Sequence, residues 1–243
     1  MPKAFFIDTT RCTACRGCQV ACKEWHELPA NATLQTGTHQ NPPDLNPYNF
    51  KLVRFSEFRR DDGAVAWNFF PDQCRHCVNP PCKDVADGYV KGAVIQDAAT
   101  GAVIYTELTK KLKPEQFDEM REACPFNIPR RDAKSGLVAK CDMCIDRVQN
   151  NLVPMCVKTC CTGTMNFGER AEMQKLAAER LVEVKKEFPE ANLVDTDFGS
   201  VFFLLAYDSK KIWEYAEGKT PAPLSRQELL AKLAAPVRSL LRG

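Results

Sequence analysis

Four cysteines crowd into eleven residues near the start of the chain, CTACRGCQVAC, at Cys12, Cys15, Cys18 and Cys22. Thiolates are soft metal ligands. Gaps of two residues let one loop wrap three of them around a face of a metal–sulfur cube, while the fourth, on the helix that follows, points away. Disulfides from so short a stretch to distant partners conflict sterically. The odd total of 13 cysteines also argues against a disulfide framework. Structural zinc sites favour C-x2-C pairs set well apart, so this run points to iron–sulfur chemistry and leaves a zinc module as the weaker alternative.

Three more groups follow: CRHCVNPPC with Cys74, Cys77 and Cys82; Cys124 alone before Pro125; and CDMC with CVKTC, giving Cys141, Cys144, Cys156 and Cys160. In two-cluster bacterial proteins the last cysteine of a C-x2-C-x2-C-x3-C-P run serves the other cluster. Under that rule the first group pairs with the fourth, making one site of Cys12, Cys15, Cys18 and Cys160 and another of Cys22, Cys141, Cys144 and Cys156. The second pairs with the third, making a site of Cys74, Cys77, Cys82 and Cys124. A fourth site would need cysteines at 86, 114, 117 and 120, where Ala86, Pro114, Phe117 and Met120 stand. All the missing ligands belong to one cluster, which explains why Cys124 survives without neighbours. Three [4Fe–4S] clusters then use twelve of the 13 cysteines. Cys161 is left as a non-ligand, a small thiol where a proline usually follows the last ligand.

The elements that must hold these loops follow from the nested pairing. One ferredoxin-like module sits inside another, an α+β fold. AFFID (4–8) reads as the strand before the first group, QVACKEW (19–25) as the helix after it, and TMNFG (164–168) as the closing strand of the outer module. VAWNFF (65–70) leads into the second group. GAVIQDAATGAVIYT (92–106) holds two β-rich runs around a turn and predicts a hairpin. KPEQFDEMREACPF (113–126) has the look of a short helix. The expected divisions are 1–30 with 132–170 as the outer module, 31–65 as a connecting loop and strand, 66–131 as the inner module with one cluster lost, and 171–243 as a C-terminal helical extension. Within that extension, 173–188 carries a helical apolar stripe and VFFLLAY (201–207) reads as a buried strand. A capping box at Ser225 and Glu228 opens a helix whose stripe (Leu229, Leu233, Val237, Leu240) suits packing on a partner subunit or, as the alternative, on its own domain.

Composition excludes more than it identifies. The chain has 243 residues, 44% of them apolar, and a net charge of +2, which gives no electrostatic case for nucleic acid. The longest apolar run, VFFLLAY, falls far short of the roughly 20 residues of a membrane span. The start, MPKAFFIDTT, lacks the apolar core and cleavage site of a signal peptide. Three histidines, His26, His39 and His76, form no constellation with a carboxylate or nucleophile that would make the chain catalytic alone.

With the four groups aligned, residues 3–170 resemble the iron–sulfur subunits of the molybdopterin oxidoreductases, the dimethyl-sulfoxide-reductase superfamily. FFIDTTRCTACRGCQVACKEWH, FFPDQCRHC and KCDMCIDR look most like the β subunits of soluble tungsten- or molybdenum-dependent formate dehydrogenases. The resemblance implies a non-catalytic chain that relays electrons from a large catalytic subunit to a soluble multihaem cytochrome c. The tungsten or molybdenum bis-pterin cofactor would lie only in that partner. It implies that the site of Cys12, Cys15, Cys18 and Cys160 faces the catalytic subunit, and that the lost cluster is the distal one of membrane-bound relatives. It also implies a periplasmic location reached as a folded passenger of the catalytic subunit, with the cytoplasm as the alternative. Other reductases of the superfamily, for polysulfide, nitrite, arsenate or tetrathionate, are the competing contexts. The segment 114–123 carries Glu115, Asp118, Glu119 and Glu122 against Arg121, net −3. It reads either as a solvated helix face or as a docking surface beside Cys124.

Overall fold

The run AFFID is apolar on both faces, as a strand covered on both sides must be. In the computed structural model, which describes residues 2–218, it forms β1 (Lys3–Asp8), buried from Ala4 onward. There follow α1 (Gly17–Trp25), β2 (Leu52–Arg59), β3 (Val65–Asp72), α2 (Pro81–Tyr89), β4 (Val94–Gln96) and β5 (Val103–Tyr105). Next come α3 (Pro114–Glu122), β6 (Arg130–Arg131), β7 (Val138–Ala139), α4 (Ile145–Gln149), α5 (Met155–Lys158) and β8 (Met165–Glu169). The last are α6 (Arg170–Val184), β9 (Asn192–Val194), β10 (Val201–Leu205) and α7 (Ser209–Ile212). The architecture is α+β. The helix expected from Ser225 lies outside the described residues.

The main sheet has the order β8-β1-β10-β9. β8 is antiparallel to β1, with Phe5 opposite Phe167, whereas β10 is parallel to it, with Phe5 opposite Val201. The period of two along each strand sorts the core into two layers. Ala4, Phe6, Phe202 and Leu204 face α6, through Ala177 and Val184. Phe5, Ile7, Val201, Phe203 and Leu205 face the other way, onto Val53, Phe70, Met143 and the thiols of Cys18 and Cys156. The sheet is thus the floor under the loops bearing Cys12, Cys18, Cys156 and Cys160, while Cys74, Cys77 and Cys82 pack in separate clusters. Residues after 170 are integral to it, since β10 lies beside β1.

β2 and β3 form a hairpin paired along their whole length, Leu52 opposite Asp72 and Arg59 opposite Val65. Its turn contains Asp62 and Gly63, the latter at φ +84°, a conformation that glycine adopts without strain. β4 and β5 form the expected hairpin, Ile95 opposite Ile104.

A satellite core explains how the chain does without ligands at 86, 117 and 120. Ala86 on α2 and Phe117 and Met120 on α3 are buried together with Leu112, Val94, Val103 and Val138. α3 begins with Pro114 at its first turn, where the missing N–H has no bond to lose. The Gln116 side chain caps it by accepting from the Lys113 amide at 2.8 Å. Burying Phe117 and Met120 contributes about 1.5–3 kcal/mol each, so apolar packing holds α2 to α3. Glu115, Asp118, Glu119 and Glu122 all project to solvent.

Candidate metal centres

Three turns of the form C-x-x-C share one backbone device. The residue before the second cysteine is left-handed in each: Ala14 at φ +54°, His76 at +46° and Met143 at +70°. None is glycine, so each turn stores about 1–2 kcal/mol of strain. The twist swings that residue's amide back onto the first thiol. The His76 N–H donates to Cys74 Sγ at 3.4 Å, the Met143 N–H to Cys141 Sγ at 3.5 Å, and the Ala14 amide to Cys12. Donors aimed at sulfur favour its charged form.

The thiols gather into three sets. Cys12 and Cys18 are electrostatic neighbours of Cys15, and Cys18 also of Cys160. Cys22 neighbours Cys156 and Cys144, and Cys141 neighbours Cys22 and Cys156. Cys77 neighbours Cys74, Cys124 and Cys82. Two electrostatic influences cross between sets, of Cys18 on Cys156 and of Cys74 on Cys141. The three sets therefore lie in sequence, with that of Cys22 in the middle. Cys161 is exposed and enters none of these pairings.

Burial dominates the thiol chemistry. It pushes Cys12 and Cys156 up to about 11 and Cys124 and Cys144 up to about 12, and raises Cys18, Cys22, Cys77, Cys82 and Cys141 as well. Cys160 differs. Burial opposes its ionisation, yet the amides of Met165, Thr162 and Thr164 and the Thr162 hydroxyl outweigh it and lower its pKa. Buried thiolates in fours need bound positive charge to exist.

The third set shows the fit most directly. Cys74, Cys77, Cys82 and Cys124 line a single cavity closed by Pro80, Pro81, Val103, Tyr105, Phe126 and Ile128. The Tyr105 hydroxyl donates to Cys82. His76 is wholly buried, and its Nδ1 accepts from the Val103 amide at 3.0 Å, so the neutral ring carries its proton on Nε2. That Nε2, and Nε2 of Gln73 beside Cys74, have no hydrogen-bond partner among the described residues. An all-thiolate set in an apolar cavity suits a cluster with sulfide corners. At the middle set, His26 Nε2 lies 3.6 Å from Cys144 Sγ and 3.4 Å from Asp142 Oδ1.

Sequence reasoning missed Arg75, Lys51 and Lys140, three buried cations around the sets. The positions give no local signal, because a lysine or arginine among strand residues or between cysteines reads as a solvent contact.

Paired C-x-x-C loops laid on an α+β floor define the chain as an iron–sulfur protein of ferredoxin type, and residues 65–170 match the family model of the 4Fe-4S dicluster domain. The chain is 62% identical to formate dehydrogenase 2 subunit beta (cytochrome c-553) of Nitratidesulfovibrio vulgaris, over 89% of this chain and 99% of the relative. It is 54% identical to the formate dehydrogenase subunit beta of Megalodesulfovibrio gigas over the same shares, and 37% identical to the formate dehydrogenase-O iron-sulfur subunit of Escherichia coli over 79% of this chain and 62% of that one. The chain belongs to the family of formate dehydrogenase beta subunits, which are iron–sulfur electron-transfer subunits.

Proposed function

We propose that this chain carries three [4Fe–4S] clusters and relays electrons between a tungsten- or molybdenum-pterin catalytic subunit and a soluble cytochrome c, without a catalytic site of its own. The observation that carries the reading is the gathering of twelve cysteines into three sets of four that lie in sequence. Each cluster, when bound, takes up and releases one electron. The residues proposed to hold them are Cys12, Cys15, Cys18 and Cys160; Cys22, Cys141, Cys144 and Cys156; and Cys74, Cys77, Cys82 and Cys124. The nested-module reading rests on the same crossing of groups. Among the described residues no helix is long and apolar enough to cross a membrane. The proposed location is the periplasm, reached as a passenger of the catalytic subunit, and cell fractionation decides between it and the cytoplasm. The central test is the iron and acid-labile sulfide of the anaerobically purified protein, with about twelve of each expected per chain. Values near eight or sixteen, or stoichiometric zinc, sink the count.

The cytochrome reading has its own support. The relative from Nitratidesulfovibrio vulgaris carries cytochrome c-553 in its name. In this chain the four acids of α3 are exposed, and a surface depression bounded by Asp118, Arg121, Glu122, Asn127 and Tyr215 reaches Cys124. An acidic rim beside the last thiol set steers a lysine-rimmed cytochrome, and such steering weakens with salt. Neutralising it through Glu115→Gln, Asp118→Asn, Glu119→Gln and Glu122→Gln together is expected to slow cytochrome c reduction at low salt and flatten its salt dependence. Formate-driven reduction of a small uncharged dye stays unchanged. A cytochrome rate and salt slope both equal to wild type place docking elsewhere.

A further inference from the structure

Two of the buried side chains are lysines, and neither has a carboxylate partner among the described residues. Lys51, just before β2, is 2% exposed, and its Nζ donates to the Pro71 carbonyl at 3.1 Å and to Gln73 Oε1 at 2.6 Å. Lys140, just after β7, is 7% exposed, donates to the Val103 carbonyl and to the Cys141 carbonyl at 2.8 Å, and lies over the Tyr105 ring. Three buried arginines are paired with carboxylates, Arg54 with Asp44 and Asp72, Arg75 with Asp72 and Asp195, and Arg130 with Asp44, while Arg147 donates to the Val153 carbonyl and lies over the Trp25 ring. A buried cation without a counter-ion is strongly disfavoured, so negative charge must be supplied from elsewhere.

The surroundings of the two lysines supply it. Lys51 lies where its charge favours the thiolates of Cys12 and Cys18 in the first set and of Cys22 and Cys156 in the middle set. The Val53 amide, two residues on, donates to Gln19 of α1, the helix bearing Cys18 and Cys22. Lys140 acts on Cys82 of the third set while bonded to the carbonyl of Cys141 in the middle set. One lysine therefore stands at each junction in the line.

We propose that Lys51 and Lys140 are potential-setting residues, each the counter-charge shared by two adjacent cluster sites: Lys51 by the first and middle, Lys140 by the middle and third. This rests on the three-cluster reading above. Reduction adds one negative charge to a site that is already anionic. A fixed ammonium in a low-dielectric interior stabilises that state, raising the reduction potential, and one placed between two sites also offsets the repulsion between electrons on neighbouring sites. At about 10 Å and an effective dielectric near 20, one unit charge changes the reduced-to-oxidised ratio by about tenfold.

The test is Lys51→Met and Lys140→Met in the whole complex. Iron is counted first, and redox titration followed by electron paramagnetic resonance comes second. In Lys51→Met two of the three midpoints are expected to fall, each with about a tenfold smaller reduced fraction ratio at the wild-type midpoint, while the third is unmoved. Lys140→Met is expected to lower two midpoints and leave a different one unmoved. Lys51→Arg, which keeps the charge, retains the wild-type values. Full iron with unmoved midpoints overturns the proposal, as does an equal shift of all three in either single variant. Should Lys51→Met fail to hold iron, Lys51→Gln is titrated instead, and unmoved midpoints there overturn it as well. A wild-type iron content other than about twelve sinks the underlying reading and is seen before any variant is made.

Discussion

Cys124→Ala is expected to lower the iron content from about twelve to about eight per chain, remove one of three resonance signals, and abolish cytochrome c reduction while formate-driven dye reduction persists. In sequence Cys124 stands alone, yet in the fold it shares a cavity with Cys74, Cys77 and Cys82. Its thiol is pushed up to about 12 by burial first and by Cys82 next, against the amides of Ile128 and Phe126. Alanine leaves the other three thiols with no fourth donor in an apolar pocket. Cys161→Ser is the control: the residue is exposed, outside every set, and its loss leaves iron unchanged. A Cys124→Ala protein with full iron, or a Cys161→Ser protein that loses iron, would overturn the assignment.

Arg75→Ala carries the largest expected effect on stability, about 3–5 kcal/mol. The guanidinium is wholly buried. It pairs with Asp72 at 2.8 Å and Asp195 at 3.5 Å, donates to the Tyr215 carbonyl at 3.1 Å, and lies against the rings of Phe70, Phe126 and Phe203. Asp72 keeps Arg54, but Asp195 would lose its cation. Burial already raises the Asp195 pKa, with Arg75 as the main opposing influence. The substitution therefore strands a buried carboxylate and opens a cavity between three aromatic rings. Anaerobic thermal unfolding, read by circular dichroism, should show a markedly lower midpoint. A midpoint equal to wild type would show that Arg75 is not a keystone. Gly199 supports the same region, since a Cβ there would meet the Arg75 carbonyl at 2.6 Å.

What was legible in the sequence was local. The two- and three-residue gaps of Cys12 to Cys22 encode a loop and a turn of helix, and α1 holds the last of them, Cys18 to Cys22. The paired β-rich runs of 92–106 announce their own hairpin. The missing ligands at 86, 117 and 120 could be counted, though their packing into one apolar core could not. Long-range pairing of strands left no trace. Nothing in VFFLLAY says that it will lie parallel to AFFID. The β2–β3 hairpin had a signal that was passed over, Asp62-Gly63 between two aromatic-rich runs. Lys51 illustrates the harder limit. Its burial is set by Pro71, Gln73 and thiols from distant parts of the chain, and a lone lysine before a strand is normally solvated.

The parallel pairing of β1 with β10 also constrains the order of assembly. The first strand of the chain waits for one that emerges from the ribosome after all 13 cysteines have been made. Contacts so distant in sequence close slowly, because loop entropy must be overcome before they form. Until they close, the loops bearing Cys18 and Cys156 lack the apolar layer they pack on. The nascent chain therefore passes through a stage in which all its thiols have been translated while Cys18 and Cys156 are not yet covered by the sheet.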